Sequence, residues 1–170
     1  MTMISFRVPA VPVSQPAKQF RIVAVAGRKP FGKATTPDRH PVNAFKAIVA
    51  RAAEDAYSGP PLSGPLWVSV VFVFPRRGKP AWITRAAYID WFDAFKRGER
   101  VPHSVKKHDR DNLLKSLQDP LNGIVWEDDG QIVAGPVEKW VAASDEQAHV
   151  EVEVRTLASI LGLVQAETRP

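Results

Sequence analysis

The sequence contains no cysteine. Disulfide scaffolds, thiolate metal sites and cysteine nucleophiles are therefore excluded, and any chemistry falls to oxygen and nitrogen side chains. Long apolar runs are missing too, since no stretch approaches the roughly 18 consecutive apolar residues of a membrane span. The first residues, Met1 to Pro12, lack the charged region followed by an apolar run that marks a secretory signal. The expected location is the cytoplasm, with no membrane partner. Internal repeats and low-complexity segments are absent as well.

What is present suffices for a core. A chain of 170 residues with 45% hydrophobic content reads as one domain of ordinary size, residues 1–170, with 156–170 as a C-terminal helix or tail. The net charge of +5 hides a division along the chain. Residues 1–115 carry 20 basic and 8 acidic side chains, while residues 116–170 carry 3 basic and 10 acidic ones. The first part would attract a polyanion and the second could hold a cation, unless both are simply solvated faces.

Hydrophobic periodicity predicts strands at Ile4 to Val8, Phe20 to Ala26, Leu66 to Phe74, Ile132 to Val141 and His149 to Arg155. Leu66 to Phe74, rich in valine and aromatics, reads as central. Helices are predicted over Asp38 to Tyr57, Thr84 to Arg97, Asp111 to Asn122 and Thr156 to Gln165. In the first, Asp38 reads as the N-cap and Ala44, Ile48, Ala52 and Ala56 as the stripe lying on the sheet. Strands before and after helices, without strict alternation, predict an α+β fold: a mixed sheet of about four to five strands packed against two to three helices. The aromatic stretch Trp82, Tyr88, Trp91, Phe92 and Phe95 reads as a local core, a dimer contact or a base-stacking surface, with core packing preferred.

The chemistry is concentrated between His108 and Gln131. Asp109 and Asp111 are two residues apart, so an extended approach would point both carboxylates to one side. Asp111, Lys115 and Asp119 recur every four residues and share a helical stripe. Leu113, Leu117 and Leu121 form a second stripe, offset by about 200° at 3.6 residues per turn. Burying the leucines would turn the carboxylates and Lys115 outward, and a turn at Asp128 to Gly130 could return further carboxylates to them. Pro120 should kink or end this helix.

Carboxylate oxygens without cysteine or clustered histidine suit a hard cation, Mg²⁺ or Mn²⁺. Lys115 could then orient an attacking water or neutralise charge developing on a phosphate. Each piece also has a structural reading: Asp111 as an N-cap worth about 1 kcal/mol, Lys115 with Asp119 as an i,i+4 ion pair, and Asp128-Asp129-Gly130 as a turn. An EF-hand loop fits worse, because Leu113 and Leu114 stand where a ligand and the glycine would be, and Pro120 where the terminal glutamate would be.

Taken together, Asp109, Asp111, Asn112, Leu113, Lys115, Asp119, Leu121, Asn122, Gly123, Trp126, Asp128, Asp129 and Gln131 match D-x-D-N-L-x-K, an aspartate, L-N-G and W-x-D-D-x-Q in order and spacing. This segment resembles the RusA family of Holliday junction resolvases. The resemblance implies a homodimeric, mixed α/β, Mg²⁺- or Mn²⁺-dependent endonuclease that nicks four-way DNA junctions symmetrically in recombination and repair. It also implies Asp109, Asp111 and Asp129 as metal-binding carboxylates and Lys115 as the catalytic lysine. Asp119 and Asp128 would be supporting residues, and whether Asp128 or Asp129 is the direct ligand depends on the turn, Asp129 being favoured. Phosphate contacts are expected from Lys18, Arg21, Arg28, Lys29 and Lys33, and from Arg76, Arg77, Lys106, Lys107 and Arg110. A nuclease for other branched or flapped DNA, or a non-catalytic DNA-binding accessory protein, would carry many of the same residues.

Overall fold

A computed structural model describes residues 3–17, 19–23, 27, 29, 31–35, 37, 39–84, 88–104 and 108–160. Among these, a six-stranded sheet forms the centre, with strands β1 (Met3–Val8), β4 (Leu66–Phe74), β5 (Val101–Pro102), β6 (Ile132–Ala134), β7 (Val137–Val141) and β8 (His149–Thr156). A separate hairpin joins β2 (Gln19–Val23) to β3 (Phe31–Thr35). The helices are α1 (Pro41–Ala56), α2 (Ile89–Lys96), α3 (Arg110–Gln118) and the short α4 (Leu157–Ile160). The expected α+β class and mixed sheet are thus realised. The remainder of the predicted last helix, 161–165, lies outside the described residues.

β4 is central, as its composition predicts. β8 runs antiparallel along one side of it and β6, then β7, parallel along the other, while β1 and β5 are the outer strands. The register explains which side is covered. Ile4 opposes Val154, which opposes Val68, and Val8 opposes Val150, which opposes Phe72, so one face carries continuous apolar rows. α1 and α3 pack on that face, and Phe45, Val49, Leu113, Leu117, Leu121 and Trp126 close the core against it. The opposite face alternates out with Ser5, Glu153 and Ser69, or Arg7, Glu151 and Val71, the polar side of a half-covered sheet.

Three expectations are corrected. The stretch Ile132 to Val141 is not one strand, because Gly135 and Pro136 interrupt it between β6 and β7. Gly135 has φ +134°, and a Cβ there would lie 1.9 Å from the Val68 carbonyl oxygen, so only glycine lets the chain step along β4 at this point. In α1 the packed stripe is Val42, Phe45, Val49 and Ala53, while Ile48 from the predicted stripe is 39% exposed. Both stripes have helical spacing, and the one with larger side chains wins the core. The N-cap of α1 is His40, whose Nδ1 accepts from the Val42 amide at 3.1 Å; Asp38 lies outside the described residues.

The aromatic segment divides. Trp82, Phe92 and Phe95 pack with Ile83, Ala94, Val101 and Val141 in a second cluster, so core packing holds for these. Tyr88 and Trp91 remain partly exposed, edge-on to Trp82 and Trp140.

Candidate active site

α3 is organised by its buried side. Leu113, Leu117 and Leu121 are all fully buried, as their spacing predicts, and Ser116 joins them by donating to the Leu113 carbonyl at 2.7 Å. Asp111 and Lys115 are exposed on the outward side. Asp109, rather than Asp111, holds the N-cap position, with extended backbone at φ −61° and ψ 134°. Its carboxylate does not cap the helix; Asn112 Nδ2 approaches one oxygen at 3.5 Å, the outer limit of a hydrogen bond. Asp111 sits in the first turn and Lys115 in the last, each on the side of the macrodipole that favours its charge. Pro120 ends α3 after Gln118, and the chain tightens into a 3-10 turn over Asp119–Leu121.

The predicted stripe breaks at Asp119. Its Oδ2 accepts from Lys46 Nζ of α1 at 2.6 Å, and Lys115 has no ion pair among the described residues. The i,i+4 pair is therefore replaced by a link between helices.

The motif after α3 is largely architectural. Trp126 is fully buried and its Nε1 donates to Asn122 Oδ1 at 2.6 Å, while Gly123, at φ +77°, donates to the Trp126 carbonyl at 2.7 Å. Asp128 then caps a 3-10 turn at Asp129–Gln131: Oδ1 accepts from the Gly130 amide at 2.8 Å, and Gln131 Oε1 accepts from the Asp128 amide at 2.9 Å. The Gln131 amide reaches on to the carbonyls of Leu62 and Gly64, 3.0 Å each. Asp128 is thereby committed to the turn.

Asp129 is half-buried and makes no side-chain bond among the described residues. It lines a cavity of about 530 Å³ with Arg110, Leu114 and Gln118, one stripe of α3. Asp111 and Lys115 stand on the neighbouring stripe, rotated by about 100°. The carboxylates of Asp109, Asp111 and Asp129 are not gathered within 4.8 Å of one another, whereas the ligand atoms of Glu146, His149 and Glu151 are.

That second group escaped the sequence reading because its members come from the loop before β8 and from β8, with no motif spacing. Its composition resembles a metal site, but a cation is already built in. Arg100 bonds both Glu146 and Glu151, and Arg7 Nη2 lies 2.8 Å from His149 Nδ1. Arg100 above all, together with the Ala143 amide, outweighs burial and holds the Glu146 carboxyl down at about 2. Burial pushes Glu151 up, yet bonds from His149 and Arg100 more than reverse it. This is an ion-pair network that ties β8 to the segment before β5.

A third group lies just ahead of Asp109. His103, His108 and Phe74 pack their rings in a triangle, with centroid separations of 4.2 Å (Phe74 to His103), 4.5 Å (Phe74 to His108) and 5.5 Å (His103 to His108). Burial, reinforced by His108 and Lys139, pushes the His103 imidazole down to about 4.

The expected phosphate contacts separate into kinds. Arg76 is committed to the protein: its guanidinium donates to the carbonyls of Phe95, Glu99 and Ala142 and stacks over the Phe95 ring at 3.8 Å. Arg77, Arg110 and Lys29 are exposed. Arg21 and Lys33 stand directly opposite each other in the β2–β3 hairpin. Lys18, Arg28, Lys106 and Lys107 lie outside the described residues.

No individual curated protein matches the chain. The family model described as Endodeoxyribonuclease RusA matches residues 9–155, most of its length. On that match, carried over the sheet, α3 and the capped turn just described, the chain belongs to the RusA endodeoxyribonuclease family.

Proposed function

We propose that this protein is a Mg²⁺- or Mn²⁺-dependent endonuclease that cuts four-way DNA junctions, acting as a homodimer in recombination and repair. The observation that carries the reading is the division of labour among the aspartates. Asp128 is bound into its turn and Asp119 to Lys46, while Asp109 and Asp111 at the start of α3, and Asp129 against its Arg110 stripe, enter no ion pair among the described residues.

The donor set fits a hard divalent ion, being carboxylate oxygen without sulfur or imidazole. Like-charged carboxylates about 4 Å apart repel by roughly 4 kcal/mol per pair at an effective dielectric of 20, so their separation is what their own charges favour. Asp109 and Asp111 are exposed and have rotamer freedom to close on a cation. An ion held by Asp109, Asp111 and Asp129 would polarise the phosphoryl oxygens and supply activated water. Lys115, fixed on the outward side of α3, would neutralise charge developing on the phosphate. Asp119 would serve this arrangement indirectly, by holding the end of α3 to α1.

Phosphate contacts would come from Arg110, beside Asp129, and from the β2–β3 hairpin. The register of that hairpin places Arg21 opposite Lys33, so two basic positions share one rung of the ladder, a pattern that suits a polyanion. Cleavage of a synthetic four-way junction in Mg²⁺, against linear duplex and flap, tests the proposal. Preferential paired nicking of the junction is expected. Equal cutting of flaps would redirect the reading to a broader branched-DNA nuclease, and metal-independent binding without any cutting would make the chain an accessory protein.

A further inference from the structure

Val137, Lys139 and Val141 of β7 alternate onto the same face of the sheet as their partners Val70, Phe72 and Phe74 of β4. Lys139 is half-buried there and enters no ion pair among the described residues. Instead its Nζ donates to the His108 carbonyl, and its own backbone carbonyl accepts from the His103 amide, 2.9 Å each. Local stability does not account for this placement. A cation beside the start of α3 opposes the helix macrodipole, and a long side chain held on one neutral carbonyl loses rotamer freedom.

What the bond does is geometric. The peptide joining His108 to Asp109 is planar, so holding its carbonyl holds the plane from which the Asp109 side chain departs. The Asp109 carboxylate has no firmer side-chain contact among the described residues than the 3.5 Å approach of Asn112 Nδ2, so the backbone sets its position. Packing of the His108 ring on Phe74 keeps the segment against the sheet, and the hydrogen bond adds the orientation. The same strand leads back to the other half of the site. Asp129 precedes Lys139 along β6 and β7, both paired with β4, and Val137 lines the cavity shared by Asp129 and Arg110. The Lys139 bond thus ties the segment carrying Asp109 directly to the segment carrying Asp129.

We propose that Lys139 is a positioning residue for the metal centre, setting through the His108 carbonyl where the Asp109 carboxylate stands relative to Asp129. The inference rests on the junction-nuclease reading and adds to it a residue outside the acidic motif. A ligand set must be held within roughly 0.5 Å of its working geometry, and loss of such a support typically costs about 10- to 100-fold in metal affinity.

Mn²⁺ binding to the protein without DNA, followed by loss of the free-ion electron paramagnetic resonance signal, tests this. Lys139→Met keeps the apolar stem and removes the donor, and should weaken Mn²⁺ binding by about tenfold. Lys139→Arg, which can still donate to the carbonyl, should recover most of that loss. Lys139→Gln, too short to reach, should repeat the Lys139→Met result and serves if the apolar variant does not fold. Added to Asp109→Asn, Lys139→Met should weaken binding no further, because it acts through that carboxylate. In cutting assays the Mg²⁺ concentration for half-maximal rate should rise about tenfold in Lys139→Met, with metal-free junction affinity unchanged. Parental Mn²⁺ affinity in Lys139→Met, or losses that add in the double variant, would overturn the positioning role alone. So would weaker junction binding with a flatter salt dependence and an unmoved metal requirement, the behaviour of a phosphate contact. A parent chain that binds no Mn²⁺ and cuts no junction would overturn both this role and the nuclease reading.

Discussion

Lys46 Nζ lies 2.6 Å from Asp119 Oδ2 and joins α1 to the end of the helix that carries Asp111 and Lys115. Lys46 is 24% exposed and Asp119 46% in their side chains, so solvent screens the pair and its contribution should stay near 0.5 kcal/mol. Lys46→Ala and Asp119→Ala should each lower the melting temperature by about 1–2 °C, with a double-mutant coupling below about 1 kcal/mol. Junction cutting should fall only modestly in either variant. A loss of cutting in Asp119→Ala as complete as in Asp111→Asn, with the fold retained, would move Asp119 into direct contact with the reaction.

The adjacent aspartates of the capped turn should part company under substitution. Asp128→Asn keeps a capping oxygen and should preserve both stability and cutting, whereas Asp128→Ala should cost about 1 kcal/mol through loss of the cap. Asp129→Asn should leave the melting temperature within a degree or two and remove metal-dependent cutting. Melting curves and cleavage rates on the same preparations decide the matter, and inactive Asp128→Asn beside active Asp129→Asn would exchange their roles.

Asp111 is not the N-cap, so its removal has a smaller structural effect than a capping role would give. Asp111→Asn forgoes a first-turn charge worth about 0.3–1 kcal/mol, so stability should fall only slightly while cutting disappears. Lys115→Ala should keep junction affinity within a few-fold and slow cutting by about 10²–10³-fold, the scale for losing one stabiliser of transition-state charge. A Lys115→Ala protein that cuts at the parental rate would remove the lysine from the mechanism.

Acid lability should trace to the network around Arg100. The Glu146 carboxyl titrates at about 2 instead of its ordinary 4.5, because Arg100 favours its ionised form. A depressed carboxylate contributes stability that is fully present above about pH 4.5 and lost as pH falls toward about 2. Denaturant midpoints measured across that window should decline in the parent and run flatter in Glu146→Gln, which should also be less stable at neutral pH. His103 adds a separate limb: burial lowers it to about 4 from 6.5, so the unfolded chain takes up its proton first and stability drops as pH falls from about 6.5 to 4. His103→Asn should remove that upper limb alone.

Much of this is legible in the sequence. Leu113, Leu117 and Leu121 carried a clear period and are buried as a row, and Leu66 to Phe74 announced a central strand by its uninterrupted valines and aromatics. The pattern failed where two answers shared one period, as in α1, whose packed face is set by the bulk of Val42, Phe45 and Val49. It also failed where a single residue meets a distant backbone, as at Gly135 against Val68. Arg76 and Asp119 read as functional charges, but the acceptor carbonyls of one and the Lys46 partner of the other come from elements remote in sequence. Conversely, Glu146, His149 and Glu151 form a local group whose carboxylates are bonded by Arg100 from a separate segment.

With Asp129 in its proposed role, the bonds from the Gln131 amide to the carbonyls of Leu62 and Gly64 would make the proline-rich approach to β4 a remote determinant of cutting. Lengthening that approach by even one residue would displace the Asp129 carboxylate without altering a single charged side chain. Such an insertion would leave a well-folded protein that grips its junction and no longer cleaves it.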